Sequence, residues 1–258
     1  MGYAALNVGT GEFSLGANFL REKSADLNFP LVASNLSYTE GVSPFTKKYV
    51  MEQAGSLKVA ILGVMSQGIL DKMPSSGTFG IVEVTSPADA LAPLLSGIRE
   101  EANIVILLSQ LGLTETKRLV GALESIDLAI YGGNDNAPAG CDGKIKPESA
   151  SETPVTPVFQ ASFKGSHLGY VCLSVDDTGR VSVDGTKMIS LNDAVAMDEK
   201  VLEITGDDII KRAAEERKKI SEEELRKAEQ EMKELHKLSP REYIERLLKE
   251  QSKGGRNQ

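Results

Sequence analysis

The residues best placed to do chemistry form a glycine turn near the start of the chain, Gly9-Thr10-Gly11-Glu12-Phe13. An apolar stretch over residues 3–8 runs into it, and a helical pattern follows from Phe13 to about Lys23. Such turns gather backbone N–H groups and short side chains at the carboxyl end of a strand, where phosphates and dinucleotides are held. Gly9-x-Gly11-x-x-Ser14 is close to a dinucleotide fingerprint. Ser14 replaces its third glycine, however, and Ser34-Asn35 ends the second strand where an acidic residue belongs. A dinucleotide-binding domain is therefore one reading, resting on a single imperfect motif. There is no G-x-S-x-G elbow and no GxxxxGK(S/T) loop, so hydrolase-triad and P-loop chemistry have no support. Only two histidines occur, His167 and His236, which excludes mechanisms that need a histidine cluster within this chain. His167 follows Gly165-Ser166 at the start of a strand and reads as a surface or hydrogen-bonded core histidine.

Composition narrows the classes further. The chain has 258 residues, is 41% hydrophobic and carries a net charge of −8. That length supports one sizeable core with an appendage. The charge is uneven: from Asp207 onward there are 14 Lys/Arg and 13 Asp/Glu, so residues 1–206 hold 15 basic and 24 acidic side chains. An acidic body argues against a nucleic-acid groove, which needs clustered Lys/Arg. Cys141 and Cys172 form no CxxC pair; free thiols are the simple reading, and one disulfide is possible in an exported chain. No apolar run reaches the roughly 20 residues that span a bilayer. The first residues read as a core strand and lack a secretory leader's charged and apolar regions, and a chain opening in a buried strand reads as a fragment of a longer one.

These residues need elements to position them. Strands are expected at residues 3–8, 29–36, 45–53, 57–65, 80–84, 103–109 and 126–131. Leu57–Met65 is nearly continuous in apolar residues, the mark of a strand covered on both faces. Ser86-Pro87 opens one helix with the stripe Leu91, Leu94, Leu95 and Ile98; Thr114 is expected to cap another, ending near Leu123. The rhythm is α/β. A Gly/Asn/Asp-rich loop over 132–154 precedes strands at 155–163, 168–175 and 180–188, with Asp176-Asp177-Thr178-Gly179 as the turn between the last two. Beyond Gly206 the chain is strongly helical. It has a thin apolar stripe, a capping box at Ser221/Glu224 and a second helix start at Ser239-Pro240. This tail is either a solvated appendage or a docking or dimerisation helix.

Six stretches, in order, resemble the landmarks of the calcineurin-like metallophosphoesterases, especially their 5′-nucleotidase branch. They are Ala4–Phe13, Phe29–Leu36, Lys58–Ser66, Val105–Gly112, Ile126–Asn136 and Thr156–Val175. In that family a strand ends in G-N-H-E/D, followed by "FP…SAN", "KVGIIG", "VILLSHLG" and "I…GGHxH" strands. Here the counterparts are Gly9-Thr10-Gly11-Glu12, Phe29-Pro30 with Ala33-Ser34-Asn35, Lys58–Gly63, Val105–Gly112 and Ile130–Asn136. The resemblance covers about residues 3–190 and implies an α/β fold, a four-layer αββα sandwich. It would be N-terminally incomplete, because the family's Asp-x-His and Gly-Asp motifs would precede residue 1. The implied division is a metallophosphoesterase-like domain over 1–205 and a charged helical tail over 206–258.

The departures fall on the chemistry. The resemblance implies a pair of divalent metals held by Asp, His and Asn at strand ends. The family's Asn ligand aligns with Thr10 and its catalytic His with Gly11; the His of "SHLG" aligns with Gln110, and both His of "GGHxH" align with Asn134 and Asn136. Amide oxygens are weak ligands for transition metals and glycine offers none, so Glu12 alone cannot replace the set. The resemblance thus assigns no catalytic residue, metal ligand or cofactor to this chain. Thr10, Gly11, Glu12, Gln110, Asn134 and Asn136 are vestigial site positions. Gln110, Asn134 and Asn136 are expected at one strand-end crevice, as a neutral cluster that is merely solvated or that takes a small molecule or carbonyl-rich partner. Asp135 and Asp142 are either turn formers or Ca²⁺ ligands. The expected function is a degenerate, non-hydrolysing module or a fragment of a larger protein. The alternatives are an active phosphoester hydrolase with substituted ligands and the dinucleotide-binding domain. The family's habits suggest a periplasmic or extracellular setting.

Overall fold

The doubly covered strand is Leu57–Met65 (β5), second in a five-stranded sheet. The computed structural model describes residues 2–68, 82–132, 156–160, 167–192, 195–196, 198–201, 203 and 226. The sheet order is β4 (Tyr49–Ala54), β5, β7 (Ile104–Gln110), β8 (Leu128–Tyr131) and β9 (Val158–Gln160). The edge strand β4 runs antiparallel to β5, and the other pairs are parallel. Register places Leu62 beside Leu107, Leu107 beside Ala129, and Met65 beside Gln110.

Parallel neighbours require helical crossovers, and these cover one face of the sheet. Helix α2 (Pro87–Glu101) starts as its residues dictate. Ser86 Oγ accepts from the Asp89 N–H at 3.5 Å, and Pro87 occupies the first turn. Leu91, Leu95 and Ile98 of α2, with Leu119 and Val120 of α3 (Leu113–Ala122), close over Ala60, Leu62, Val64, Val105, Leu107, Ala129, Tyr131 and Val158. Arg99 clasps Asp127 through two bonds, at 2.7 and 2.6 Å, and the same carboxylate accepts from the Val105 N–H at 2.7 Å. That carboxylate fastens the end of α2 to the strands beneath it.

Alternation sends Met65 to the opposite face, where a second core gathers. It holds Val8, Phe13, Ala17, Leu20, Leu31, Leu36, Val82 and Val84. The elements here are short: β1 (Leu6–Asn7) parallel to β2 (Leu31–Val32), β3 (Leu36–Tyr38) antiparallel to β6 (Val82–Val84), and helix α1 (Ala17–Ser24). A separate antiparallel ribbon joins β10 (His167–Val175) to β11 (Val181–Ser190), with a bulge at Cys172/Leu173. Its turn is the expected one. Asp176 Oδ1 accepts from the Thr178 N–H, the Thr178 hydroxyl and the Arg180 N–H, and Gly179 supplies φ 81°. These bonds hold the Asp176 carboxyl below the ordinary carboxylate range, the Thr178 hydroxyl contributing most.

Four expectations need correction. The helix expected from Phe13 begins as a single 3₁₀ turn, Glu12–Leu15; Gly16, at φ 91°, breaks the path before α1. The strand expected over 29–36 divides into β2 and the start of β3, because Ser34 and Asn35 turn their side chains into the neighbouring backbone. Residues 45–48 do not open β4; Lys47 pairs with β2 instead, its N–H on Leu31 O at 2.8 Å and its carbonyl accepting from Ala33 at 2.9 Å. Thr114 lies inside α3, which follows Gly112 at φ 76° with no side-chain cap. The chain divides into compact units at 1–192 and 193–258. In the second, Asp198 Oδ1 accepts from the N–H groups of Lys200 and Val201 at a helical turn. The tail helices expected beyond 206 lie outside the described residues, apart from a helical Arg226.

Candidate functional site

Three strand ends converge on Gln110. The turn after β1 is closed from within: Gly9 N–H donates to Glu12 Oε2 at 2.8 Å, and Phe13 N–H returns to Gly9 O at 3.3 Å. Phe13, 1% exposed, anchors the turn in the second core, while Thr10 and Gly11 face solvent. Val8 N–H bonds Val32 O at 3.2 Å and fixes the turn's height above β2.

The Gln110 side chain lies flat against this turn. A Cβ placed on Gly9 would stand 2.7 Å from Gln110 Cδ and 2.8 Å from Nε2, so the amide occupies the space that a larger residue would take. A Cβ on Gly132, just past β8, would stand 3.5 Å from the same Nε2. Gly132 itself is held by donating to Ser109 O at 2.9 Å. Gln110 is half-buried as a residue, and its amide reaches solvent without a hydrogen bond to the described residues. Its neighbour Ser109 points the other way and is fully engaged. Ser109 Oγ lies 2.7 Å from Thr116 Oγ1, accepts from the Leu111 N–H at 3.2 Å, and Thr116 in turn donates to Gly112 O.

The "SAN" residues have a different job. Asn35 is 0% exposed; its Nδ2 donates to Met65 O and Thr85 O, and its Oδ1 accepts from the Met65 N–H. Ser34 Oγ donates to Lys48 O and accepts from the Gly63 N–H. Lys48 Nζ donates to Ser34 O and Leu36 O at 3.0 and 2.7 Å, and burial pushes its pKa down. These side chains brace the carboxyl end of β5 rather than reach into the crevice. Asn7 Nδ2 donates to Val64 O at 3.0 Å, while its buried Oδ1 has no partner among the described residues and lies against Gly63.

The structure therefore places Thr10, Gly11, Glu12 and Gln110 at one strand-end crevice, with Gln110 touching the turn. Asn134 and Asn136 lie outside the described residues, as do Cys141, Asp135 and Asp142. His167 is the half-buried first residue of β10, and Cys172 is a free thiol on the same strand. The Gly9–Gln110–Gly132 contact was missed by sequence reasoning; the glycines on either side of the "SQLG" stretch were its only trace. Also missed was a cavity of about 380 Å³ at the ends of β5 and β7, lined in part by Ser66, Ser86, Leu111, Glu115 and Arg118.

No protein-family model matches the chain. It is 25% identical over 224 residues to snake venom 5′-nucleotidase of Gloydius brevicauda, an alignment spanning 78% of this chain and 36% of the relative. Among solved structures it resembles the calcineurin-like phosphoesterase YfkN of Bacillus subtilis, with TM-score 0.59, 24% identity, and coverage of 78% of this chain and 68% of that one. The fold is that of the 5′-nucleotidase-like metallophosphoesterases. A 5′-nucleotidase precursor of Thermus thermophilus agrees, with TM-score 0.60 and 17% identity over 78% of this chain and 41% of that one. The mixed α/β sandwich expected from the sequence is thus the observed one. The chain spans little more than a third of the length of the curated relative it matches.

This fold implies a metal pair, and the described residues do not fit one. Among them, no group of three or more His, Cys, Asp or Glu could hold a metal ion. The one carboxylate at the turn, Glu12, closes onto Gly9 N–H, and the facing group on β7 is an amide. A hard neutral oxygen and a single committed carboxylate are a poor donor set for two divalent cations. The dinucleotide reading also loses its frame, since β1 has two residues and leads into a 3₁₀ turn instead of an α-helix. Among the described residues no helix is long and apolar enough to cross a membrane.

Proposed function

We propose that residues 1–205 form a degenerate 5′-nucleotidase-like module that binds a small molecule or protein partner and does not hydrolyse phosphoesters through a metal pair. One observation carries this reading. At the crevice where the family's ligands stand, the chain presents Thr10, Gly11 and Gln110, and Glu12 is spent on closing its own turn. A crevice without charged ligands on a retained α/β frame suits a binding or scaffold role. The charged tail beyond 206, whose sequence pattern is helical, is read as a solvated appendage or as a docking or dimerisation segment.

A second reading is an active, metal-dependent phosphoester hydrolase with substituted ligands. It is favoured by the relatives, which are named as 5′-nucleotidases and a phosphoesterase, and by the retained carboxylate of Glu12. Metal analysis of the purified protein, with hydrolysis of a generic aryl phosphate in added Mn²⁺, separates the two. The binding-module reading expects no tightly held metal and no metal-dependent turnover. Two tightly bound metals, with turnover abolished by Gln110→Ala, would overturn it.

A further inference from the structure

We infer that the β10–β11 ribbon joins two copies of this chain, the outer edge of β10 pairing antiparallel with the same edge of a second copy. None of the residues in either strand of the ribbon is buried. Among the described residues, its apolar side chains join neither core. Two strands alone are marginal in water, and stability needs a further strand or a covering helix. Leu168 and Tyr170, 55% and 57% exposed, share one face with Ile189, which lies directly opposite Leu168. Contiguous exposed apolar residues on a ladder this long mark an interaction surface.

The two edges of the ribbon differ, and the difference selects the occupant. β11 carries Asp184 and Lys187, and Asp184 is the extra residue of the bulge, since Cys172 pairs with Gly185 and Leu173 with Val183. Charges and bulges keep an edge strand from pairing. β10 has neither: its nine residues include no Asp, Glu, Lys or Arg. Asp176 N–H donates to Arg180 O, and alternation along the register turns the backbone groups of Ser174, Cys172 and Tyr170 toward β11. Those of Gly169, Val171, Leu173 and Val175 point outward and have no partner among the described residues. A ribbon open at one edge and blunted at the other closes into a two-fold dimer instead of growing into a filament. A two-fold axis normal to the sheet maps each face onto itself. The dimer is then a four-stranded sheet with Leu168, Tyr170 and Ile189 of both copies along one face. Neutrality suits this pairing of like with like, because residues 1–206 hold 15 basic and 24 acidic side chains and the acidic body repels its own copy elsewhere.

The test is sedimentation of the full chain over a range of concentrations, with hydrogen exchange as its residue-level readout. The expected result is a species that passes to twice the monomer mass as concentration rises. The outward N–H groups of Val171 and Leu173 should gain protection in step with it. Val171→Pro removes an outward donor and no bond within the ribbon, at the kind of position where an edge strand tolerates proline. The two-fold uses that donor twice, so the variant should weaken the dimer about tenfold or more. Met188→Pro makes the matching change on the outer edge of β11 and should leave the dimer unaltered. Should Val171→Pro fail to fold, exchange in the unaltered chain decides. A chain that stays monomeric at every concentration overturns the proposal. So does a dimer undiminished in folded Val171→Pro, a dimer equally weakened by Met188→Pro, or protection at Val171 and Leu173 that does not change with concentration.

Discussion

The face of the sheet beneath α2 and α3 and the crevice at the strand ends are built on opposite rules. Under the helices the packing is apolar and closed: Leu62, Leu91, Leu107 and Ala129 are 0% exposed, and the Asp127 carboxylate at the rim is bonded by Arg99 and Val105. At the crevice the side chains are small or absent, and the long polar group there, Gln110, is left unbonded among the described residues. Burial stabilises the first region by roughly 1.5–3 kcal/mol for each large apolar side chain. The second region contributes little of that kind.

The largest expected break in this contrast is in stability. Leu91→Ala or Leu107→Ala should cost about 2–5 kcal/mol, whereas Gln110→Ala should stay within about 0.5 kcal/mol, as read from denaturant midpoints at equal slope. A comparable cost for Gln110→Ala would show that the amide belongs to the framework after all. Two glycines sharpen the point. A Cβ on Gly63 meets the backbone carbonyl of Val32 at 2.8 Å, and that group cannot swing aside. Gly63→Ala should therefore cost about 2 kcal/mol. A Cβ on Gly9 meets only the far end of Gln110. Gly9→Ala should cost under about 1 kcal/mol, and most of that should vanish in the Gly9→Ala/Gln110→Ala double variant, the sign of direct coupling. Additive costs would contradict the observed contact.

The smallest expected effect concerns Asp176, which is exposed yet bonded three times through Oδ1 and so separates exposure from lack of partners. Its carboxyl is depressed in the folded chain, so its contribution is present above the unfolded value of about 3.9 and fades as pH falls through the folded value. The protection of the Thr178 and Arg180 N–H groups against hydrogen exchange, relative to the intrinsic rate at each pH, should fall on acidification, and Asp176→Asn should remove that dependence. Protection that is flat across this range would count against the turn's three bonds.

Local signals made the framework readable. The unbroken apolar run of β5 and the Ser86-Pro87 start of α2 state their structure in adjacent residues. Expectations failed where distant partners decide. Asn35 looks like the end of a strand until Met65 and Thr85 take its amide. Phe13 looks like the start of a helix until the positive φ of Gly16 intervenes. Strand-end positions at the crevice could be named from the order of the landmarks. The contact between Gly9 and Gln110 could not, because no periodicity links residues so far apart in the chain.

Asn35 has one more consequence. Asn35-Leu36-Ser37 matches the acceptor sequence for N-linked sugar, and Nδ2, the atom a glycan would occupy, is committed to two carbonyls in the interior. The folded domain therefore offers no acceptor there. In a compartment that carries the transferase, sugar addition and folding compete for the same nitrogen, and a molecule modified first cannot close β5 onto β6.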